Sequence, residues 1–375
     1  MNNILTRVRS GITRNLFNIP GWSSKRRIIV IESDDWGSIR MPSRKVYSQF
    51  LGKGLRISDS DYNRLDTLEC NDDLNLLYDV LSSFANINRE CPVITANFAV
   101  GNPDFKKIKE SDFRDYYFEP VTETLKRYPG RDKIELLWKK GNDCHLFHPQ
   151  FHCREHVNIV RWMKALRRKT PEIMLTFDYE TTFSGEGDYS FMEVLDYDST
   201  DDLQKMKESL AEGLNLFEKI FGYRSKSFIP PCYTWNSDIE ETLNNSGIRY
   251  IQGLVAQLIP TGSFGKYGRK YHFLGSINSY GQYYLVRNCF FEPSLSMTSD
   301  PIGECLSGIK TAFRWNKPAV ISSHRINYMG SLDEKNRSTN LKLLGELLSR
   351  IITTWPEVEF MTSDQLGDLI SGRKF

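Results

Sequence analysis

Four of the six histidines lie within twelve residues of one another, at His145, His148, His152 and His156. Neutral imidazole is the commonest metal ligand among side chains, and two histidines with one carboxylate form a frequent open metal site. His148 and His152 are four residues apart, as are His152 and His156, so a helical segment would place each pair on one face. Packing rarely concentrates histidine in this way. The segment therefore predicts a metal-assisted active site.

Asp34 and Asp35 are the candidate carboxylates, and they follow the apolar run 27–32. Two adjacent carboxylates that leave a strand point in different directions, so one can bind a metal while the other accepts a proton. A simple Asp-rich turn is the alternative interpretation. His324 follows a second apolar run, 319–323, and becomes the titrating group opposite the metal if the fold brings both strand ends together.

Further candidates follow other predicted strands. The loop 230–236 begins with a Pro-Pro corner and contains Tyr233 and Trp235. A backbone N–H of this loop would stabilise an oxyanion, although a turn filled by aromatic side chains explains the loop equally well. The remaining candidates for contacts to the metal ligands or the substrate are His148, Glu155, Arg287 and Arg325.

These residues need a scaffold that brings distant strand ends together. Short β-rich runs alternate with longer helical patterns along the chain, which is typical of βα units around a parallel sheet. The candidates fall at or just after the C-terminal ends of predicted strands, and that rim carries the active site in α/β barrels. The sequence therefore predicts an α/β barrel.

The pattern predicts the following elements. Strands are expected at 27–32, 92–97, either 133–137 or 143–147, 172–177, 225–229, 248–252, 283–287, 318–323 and 358–362. Helices are expected at 72–84, 158–168, 200–221, 237–245 and 341–354, with a long loop over the barrel mouth at 261–284. No repeat or composition break divides the chain, so residues 25–375 are predicted to form one barrel domain.

Composition narrows the class of protein. The chain is 40% hydrophobic and 26% charged, as expected of a globular protein, and 13% aromatic. Its 49 Lys and Arg nearly balance its 47 Asp and Glu, so net charge implies no nucleic-acid partner. Seven cysteines without CxxC spacing argue against a disulfide framework and suit a reducing cytoplasm. No apolar run is long enough to span a membrane.

The N-terminal residues 1–24 have a pattern of their own. Residues 1–20 are amphipathic, with Arg7, Arg9 and Arg14 between the apolar side chains. We expect this segment to pack on the barrel, and attachment to a membrane surface is the alternative. It has no continuous apolar region and no small-residue cleavage site of the kind found in signal peptides, so a cytoplasmic location is expected.

In order along the chain, these segments resemble the polysaccharide deacetylases (carbohydrate esterase family 4, NodB-like). An apolar strand that ends in Asp-Asp matches residues 31–35, and a His-x-x-x-His motif followed by Asn matches residues 152–158. A Pro-Pro loop matches residues 230–233, an apolar strand that ends in His matches residues 321–324, and the family's C-terminus resembles residues 358–370. The resemblance spans residues 25–370 and implies a distorted (β/α)7 barrel.

The resemblance also implies roles for individual residues. Asp34 would be the general base, Asp35 with His152 and His156 would bind a divalent metal, usually zinc, and His324 would be the general acid. The expected reaction is removal of an acetyl group from an acetylated sugar or glycan precursor. His148 is an alternative to either histidine as a ligand.

The sequence departs from the family in the third motif, where Ile229 stands in place of the usual Arg and Cys232 in place of the usual Tyr. Arg287 and Arg325 are the candidates to replace the missing guanidinium. Three alternatives remain open. A glycoside hydrolase would need two carboxylates about 5–9.5 Å apart, a non-catalytic sugar-binding protein would keep the barrel without turnover, and a non-haem iron oxygenase would share the two-His-one-carboxylate ligands. The candidate hydrolase carboxylates are Glu155, Asp178 and Glu292.

Overall fold

The computed structural model describes residues 14–184, 191–263, 265–295 and 297–373. The strands are β1 (Ile28–Trp36), β2 (Ile94–Ala99), β3 (Gly101–Pro103), β4 (Phe118–Pro120), β5 (Phe147–Cys153), β6 (Ser227–Phe228), β7 (Tyr250–Gly253), β8 (Ala256–Pro260), β9 (Tyr267–Tyr271), β10 (Tyr283–Val286), β11 (Cys289–Phe290), β12 (Ala319–His324) and β13 (Glu359–Met361).

The helices surround the main sheet and connect its strands. They are α1 (Arg44–Gly52), α2 (Asp61–Leu65), α3 (Asn71–Ser82), α4 (Phe105–Glu110), α5 (Val121–Leu125), α6 (Ile134–Asp143), α7 (Ile159–Arg168), α8 (Pro171–Asp178), α9 (Thr200–Phe221), α10 (Glu240–Asn245), α11 (Pro301–Arg314), α12 (Glu334–Thr354) and α13 (Ser363–Ile370).

The main sheet closes on itself through a strand that changes partner. Its order is β10-β7-β6-β5-β2-β1-β12-β11, with β13 also beside β1, and all these neighbours are parallel. Only Arg287 and Asn288 separate β10, which pairs with β7, from β11, which pairs with β12. Their N–H groups donate to Gly253 O and Val320 O. The result is the predicted distorted (β/α)7 barrel, with β10 and β11 sharing one strand position.

Burial explains why β1 forms the centre of this barrel. All nine of its residues are buried, as expected for a parallel strand covered on both faces. Its apolar first half, Ile28–Ile31, packs in the core, whereas its second half is polar and leads to the rim. The large core cluster fills the space between the sheet and helices that include α3, α6, α9 and α12.

The strand predicted at 133–137 is wrong, and so is most of its alternative at 143–147. Residues 134–143 form helix α6, whose buried Ile134, Leu137, Trp138 and Gly141 follow a helical period. The strand begins only at Phe147 and runs to Cys153. The histidine segment is therefore a strand followed by a loop, not a helix.

The strand predicted at 172–177 is also wrong, because residues 171–178 form helix α8. Pro171 occupies its first turn, where proline is well tolerated, and the buried Ile173 and Phe177 are four residues apart. The predicted loop at 261–284 contains β9, which forms an antiparallel hairpin with β8. The other predicted helices are confirmed, and α9 has the predicted bounds, Thr200–Phe221.

Residues 14–24 contact the barrel. The N–H of Trp22 donates to Leu274 O at 2.7 Å and that of Ser24 to Asn316 O at 2.8 Å. The predicted helix of residues 1–20 lies in part outside the described residues, which begin at Arg14. The single domain at 25–375 and the cytoplasmic location stay predictions. Among the described residues, no helix has both the length and the apolar character needed to cross a membrane.

Candidate active site

The C-terminal end of β1 places the two aspartates at the rim. The parallel register sets Asp34 beside His324 at the end of β12. Asp35 has a φ of 75°, in the left-handed region that aspartate tolerates better than most residues, so the chain turns and the adjacent carboxylates face different neighbours. Gly37 completes the turn with a φ of 77°, and an added Cβ would lie 2.2 Å from Ala99 O. Only glycine fits there.

Asp35, His152 and His156 form a buried group of metal-ligating atoms. The Oδ1 atom of Asp35 is 3.5 Å from Nε2 of His152 and 3.1 Å from Nε2 of His156. All three ligand atoms lie within 4.8 Å of one another, and the three residues are buried. Two imidazoles and one carboxylate could hold a divalent cation and leave a coordination position open.

The hydrogen bond of His152 fits a metal ligand. The Nδ1 atom of His152 is 2.7 Å from Ile229 O. Because a carbonyl oxygen only accepts, the neutral ring carries its proton on Nδ1 and turns the Nε2 lone pair towards Asp35. Burial lowers the pKa of His156 to about 4, so this ring is neutral at neutral pH, and its buried Nδ1 has no hydrogen-bond partner among the described residues. Asp35 Oδ1 and the Nε2 lone pair of His152 therefore face each other as two acceptors, an arrangement that a cation between them would stabilise.

Arg40 holds the second oxygen of the metal-facing carboxylate. Its Nη2 atom donates to Asp35 Oδ2 at 3.2 Å, so Oδ1 remains directed at the histidines. Burial favours the protonated acid, but the basic neighbours His156 and Arg40 hold the pKa of Asp35 well below its usual value. The carboxylate is therefore ionised, as a metal ligand must be.

Asp34 faces a different set of partners. Arg287 binds it with two parallel hydrogen bonds, Nη1 to Oδ2 at 2.7 Å and Nη2 to Oδ1 at 2.6 Å, and its Nε donates to Glu32 at 2.5 Å. Asn97 adds a bond to Asp34 Oδ1 at 2.7 Å. Burial opposes ionisation, but the Arg287 guanidinium outweighs it and lowers the pKa of Asp34 to about 2. Asp34 is thus an oriented, ionised carboxylate.

His324 completes the rim opposite the histidine pair. Its Nε2 lies 3.7 Å from Asp34 Oδ2, and its Nδ1 lies 2.6 Å from Glu292 Oε1, whose other oxygen accepts from Asn327. Burial lowers the pKa of the imidazole, but the Glu292 carboxylate outweighs it and raises the pKa to about 9. His324 is therefore protonated at neutral pH.

These groups line one cleft of about 420 Å³, a volume typical of small-molecule sites. Cys232 and Tyr233 line it too, both with φ of 54°. The N–H of Tyr233 donates to Pro230 O at 3.0 Å, so it is already engaged. Of the N–H groups of these two residues, that of Cys232 therefore remains as the candidate oxyanion donor. The other lining residues are Asp34, Asp35, Arg40, Arg56, Asp59, Ser60, Tyr62, Asn63, His152, His156, Thr181, Thr182, Phe183, Ser184, Phe191, Met192, Pro230 and His324.

Two predicted site residues on or near β5 lie away from this cleft. His148 is four residues before His152 on the same strand, about 13 Å away at ~3.3 Å per residue. It contacts Asn142 and Gln150 instead. The Glu155 carboxylate receives two hydrogen bonds from Arg154, at 2.6 and 2.9 Å, and does not line the cleft.

Trp235 and Arg325 also fall outside the cleft lining. The indole of Trp235 is buried and donates to Glu240 at 3.1 Å. Arg325 is buried against Asp66 at 2.9 Å and Glu69 at 3.0 Å. Of the two arginines predicted to replace the missing guanidinium, the structure places Arg287 on Asp34 and Arg325 elsewhere.

Sequence reasoning missed several residues of the site. Asn97 is the last residue of a predicted strand, so its position at a strand end was a usable signal. Arg40 and Tyr62 lie in the connection between β1 and α3, where nothing in the pattern distinguishes them from surface residues. The sequence predicts Glu292 only as a hydrolase carboxylate. Its contact with His324 depends on the sheet, because Glu292 follows β11 by two residues and β11 lies beside β12, which ends at His324.

The carboxylates proposed for a glycoside hydrolase are not brought together among the described residues. Asp178 ends helix α8, where it is half exposed and forms an ion pair with Lys109. Glu155 is held by Arg154, and only Glu292 approaches the cleft, through His324. The parallel barrel also differs from the jelly roll in which facial-triad iron oxygenases usually occur.

Comparison with known proteins gives likeness of fold only. No protein-family model matches the sequence, and no curated protein sequence matches it. A putative polysaccharide deacetylase from Mycobacterium smegmatis is 10% identical, with a TM-score of 0.46 over 95% of this chain and 96% of that one. A PuuE allantoinase is 10% identical, with a TM-score of 0.45 over 92% of this chain and 91% of that one.

A 4-alpha-glucanotransferase from Thermococcus litoralis is also 10% identical, with a TM-score of 0.45 over 92% of this chain. The chain spans 40% of the length of that protein. Deacetylases and glycan-acting enzymes thus appear side by side at the same low identity. Such similarity does not distinguish between their activities.

Proposed function

We propose that this protein is a metal-dependent hydrolase that removes an acetyl or similar acyl group from a sugar or polysaccharide precursor. One observation supports this above the others. A two-histidine, one-carboxylate group lies in the same cleft as a separate ionised aspartate, Asp34, and a protonated histidine, His324. Hydrolysis of an acyl group needs a Lewis acid, a base and an acid, and this cleft contains residues suited to each.

Asp35, His152 and His156 would hold the metal, for which zinc fits the nitrogen and oxygen ligands. A cation held there would supply Lewis-acid chemistry: it would polarise the acyl carbonyl and make a water molecule more acidic, with a pKa of about 7. Asp34 accepts the proton of the attacking water. Arg287 and Asn97 fix its carboxylate, so the base is oriented before substrate arrives.

His324 donates the proton that the leaving amine or alkoxide needs. Its pair with Glu292 keeps the ring cationic at neutral pH and fixes its orientation through Nδ1, which leaves Nε2 facing Asp34 and the cleft. The N–H of Cys232 stabilises negative charge on the acyl oxygen. Tyr62, Phe183 and Tyr233 in the cleft provide aromatic faces against which a sugar ring packs.

The decisive experiment is metal analysis of the purified protein beside the double variant His152→Ala/His156→Ala. His148→Ala is a matched control, because it removes a histidine from the same strand outside the cleft. We expect one equivalent of divalent metal in the wild type and the control, and none in the double variant. The metal-loaded wild type should release acetate from an acetylated amino-sugar oligomer.

Two outcomes would contradict the proposal in different ways. No metal after reconstitution with zinc would exclude the metal-dependent mechanism and leave the histidines as structural or ligand-binding groups. Stoichiometric metal without release of acetate from any N- or O-acetylated sugar would favour the non-catalytic sugar-binding alternative.

A further inference from the structure

Residues 14–20 pack against the barrel with their polar side chains. The Arg14 guanidinium pairs with Glu304, the Asn15 side chain accepts from Trp315 Nε1 at 2.8 Å, and the buried Asn18 accepts from Asn288 at 2.9 Å. A segment on the surface of a globular protein normally does the reverse and turns its apolar side inwards.

The apolar side chains of the same segment face outwards. Leu16 is 58% exposed, Phe17 46% and Ile19 51%. Two further large exposed side chains adjoin them: Phe290 lines the same cavity as Phe17, and Trp315 is bonded to Asn15. These five residues, Leu16, Phe17, Ile19, Phe290 and Trp315, are named the apolar patch. Exposed apolar groups collected in this way mark an interaction surface.

Exposed basic residues lie near the apolar patch. On helix α11, Ser307 accepts from Arg14, and the exposed Lys310 and Arg314 lie three and seven residues further along the same helix face. Lys25 is exposed next to Ser24, whose N–H bonds to Asn316. Residues 1–31 contain six Lys and Arg and no Asp or Glu. Of these, Arg14, Arg26 and Arg27 form ion pairs with Glu304, Glu359 and Glu357. The positive charge near the patch that is available to a partner therefore comes from Lys25, Lys310 and Arg314.

We infer that the apolar patch binds the surface of an anionic lipid bilayer. Phenylalanine, leucine and tryptophan insert into the boundary between headgroups and acyl chains, and lysine and arginine beside them are attracted to acidic headgroups. The cavity of about 450 Å³ between Phe17 and Phe290 is lined mainly by apolar groups, among them Val255, Leu274 and Val286, and gives an acyl chain room beside the patch.

Charge favours a bilayer over a second copy of this chain. A twofold interface centred on the apolar patch would place Lys310 and Arg314 of both copies around one partly desolvated area, where their positive charges repel one another. A bilayer that contains acidic lipid neutralises these cations and buries the apolar side chains at the same time.

Flotation of the full-length protein with lipid vesicles tests the inference. Vesicles of phosphatidylcholine mixed with phosphatidylglycerol are compared with vesicles of phosphatidylcholine alone. The wild type should float with the mixed vesicles, less so at high salt, and only weakly with the neutral ones. Leu16→Ser/Phe17→Ser should lower the partition constant about tenfold or more, and Lys310→Gln/Arg314→Gln about tenfold.

Ile87→Ser/Leu136→Ser is the matched control, because these side chains are 71% and 69% exposed and do not belong to the patch. It should float like the wild type. Equal flotation of the Leu16/Phe17 variant and the wild type would overturn the inference, and so would absence of wild-type flotation. A dimer in solution that the same variant abolishes, without vesicle binding, would assign the patch to a second copy instead. Vesicle binding does not depend on metal or turnover, so this test and that of the proposed function fail separately.

Discussion

Arg287 and Arg325 occupy similar surroundings and have different consequences. Each lies at or just beyond the C-terminal end of a strand of the barrel, and each side chain is fully buried between two carboxylates. Arg287 binds Asp34, which lines the cleft. Arg325 binds Asp66 and Glu69, which do not line it, and donates to Ser38 O at 2.6 Å.

This difference shows that burial and charge alone do not identify a catalytic group. Both arginines have raised pKa values, because the neighbouring carboxylates outweigh the effect of burial. What distinguishes Arg287 is that its partner Asp34 lines the open cleft, beside the group of Asp35, His152 and His156 that could bind a metal. Arg325 instead clamps the turn after Asp35, since its partner Glu69 also accepts from Gly37 N–H. Under the proposed function, one cluster orients the general base Asp34 and the other supports the loop behind it.

The largest expected effect is that of Arg287→Met, which leaves Asp34 and Glu32 without their cation. We expect hydrolysis of an acetyl ester to fall about 10²-fold or more, because the base loses its orientation and ionisation, while bound metal is retained. Steady-state kinetics beside metal analysis measure this. A variant as active as the wild type would remove Arg287 from the catalytic site.

Arg325→Met should instead affect stability alone. It removes the arginine shared by the buried Asp66 and Glu69 and leaves Asp66 only its ion pair with Arg40 at 3.4 Å, which costs about 3–5 kcal/mol of unfolding free energy. Urea denaturation measures the loss, and kcat per folded molecule should stay within about twofold of the wild type. A large loss of kcat in protein that remains folded would show that the two clusters act together.

The variant Glu292→Gln tests the proposed role of His324 as the general acid. Because the folded-state pKa of His324 is about 9, above its usual 6.5, the protonated pair stabilises the fold below pH ~6.5, and this contribution disappears as pH rises through about 9. Activity should fall over the same upper range. Without the Glu292 charge the pKa decreases, so the alkaline limb of kcat/KM should move about one unit or more towards neutral pH. If the alkaline limb of kcat/KM lies at the same pH in the variant and the wild type, a group other than His324 titrates there.

The smallest expected effect is that of Ile229→Val. The usual Arg of this motif is absent, but His152 bonds to the Ile229 carbonyl oxygen, which every residue carries. We expect a loss of about 0.5–1.5 kcal/mol of stability from the removed methylene, with metal affinity and kcat unchanged. Isothermal titration with zinc, after chelation, measures the affinity. A clear decrease would show that the side chain itself positions the histidine.

Most of the barrel could be predicted from periodicity, because long amphipathic helices such as α9 and apolar strands such as β1 have strong patterns. Prediction failed at short apolar runs. Residues 172–177 suit a buried strand as well as a helix, and only the packing of Ile173 and Phe177 against neighbouring side chains distinguishes the two. The strand containing the histidines was misplaced because its polar residues interrupt the apolar pattern.

The sequence by itself determined which chemical groups are available: a dense histidine segment, paired aspartates and a histidine after an apolar strand. Only the tertiary structure decided which of them meet. His152 and His156 reach Asp35, whereas His148 lies near the N-terminal end of β5. Arg287 reaches Asp34 because it lies where the chain leaves β10, which pairs with β7, and enters β11, which pairs with β12. The physical reason is that contacts between strands far apart in the chain depend on register and closure of the sheet, which local residue patterns do not encode.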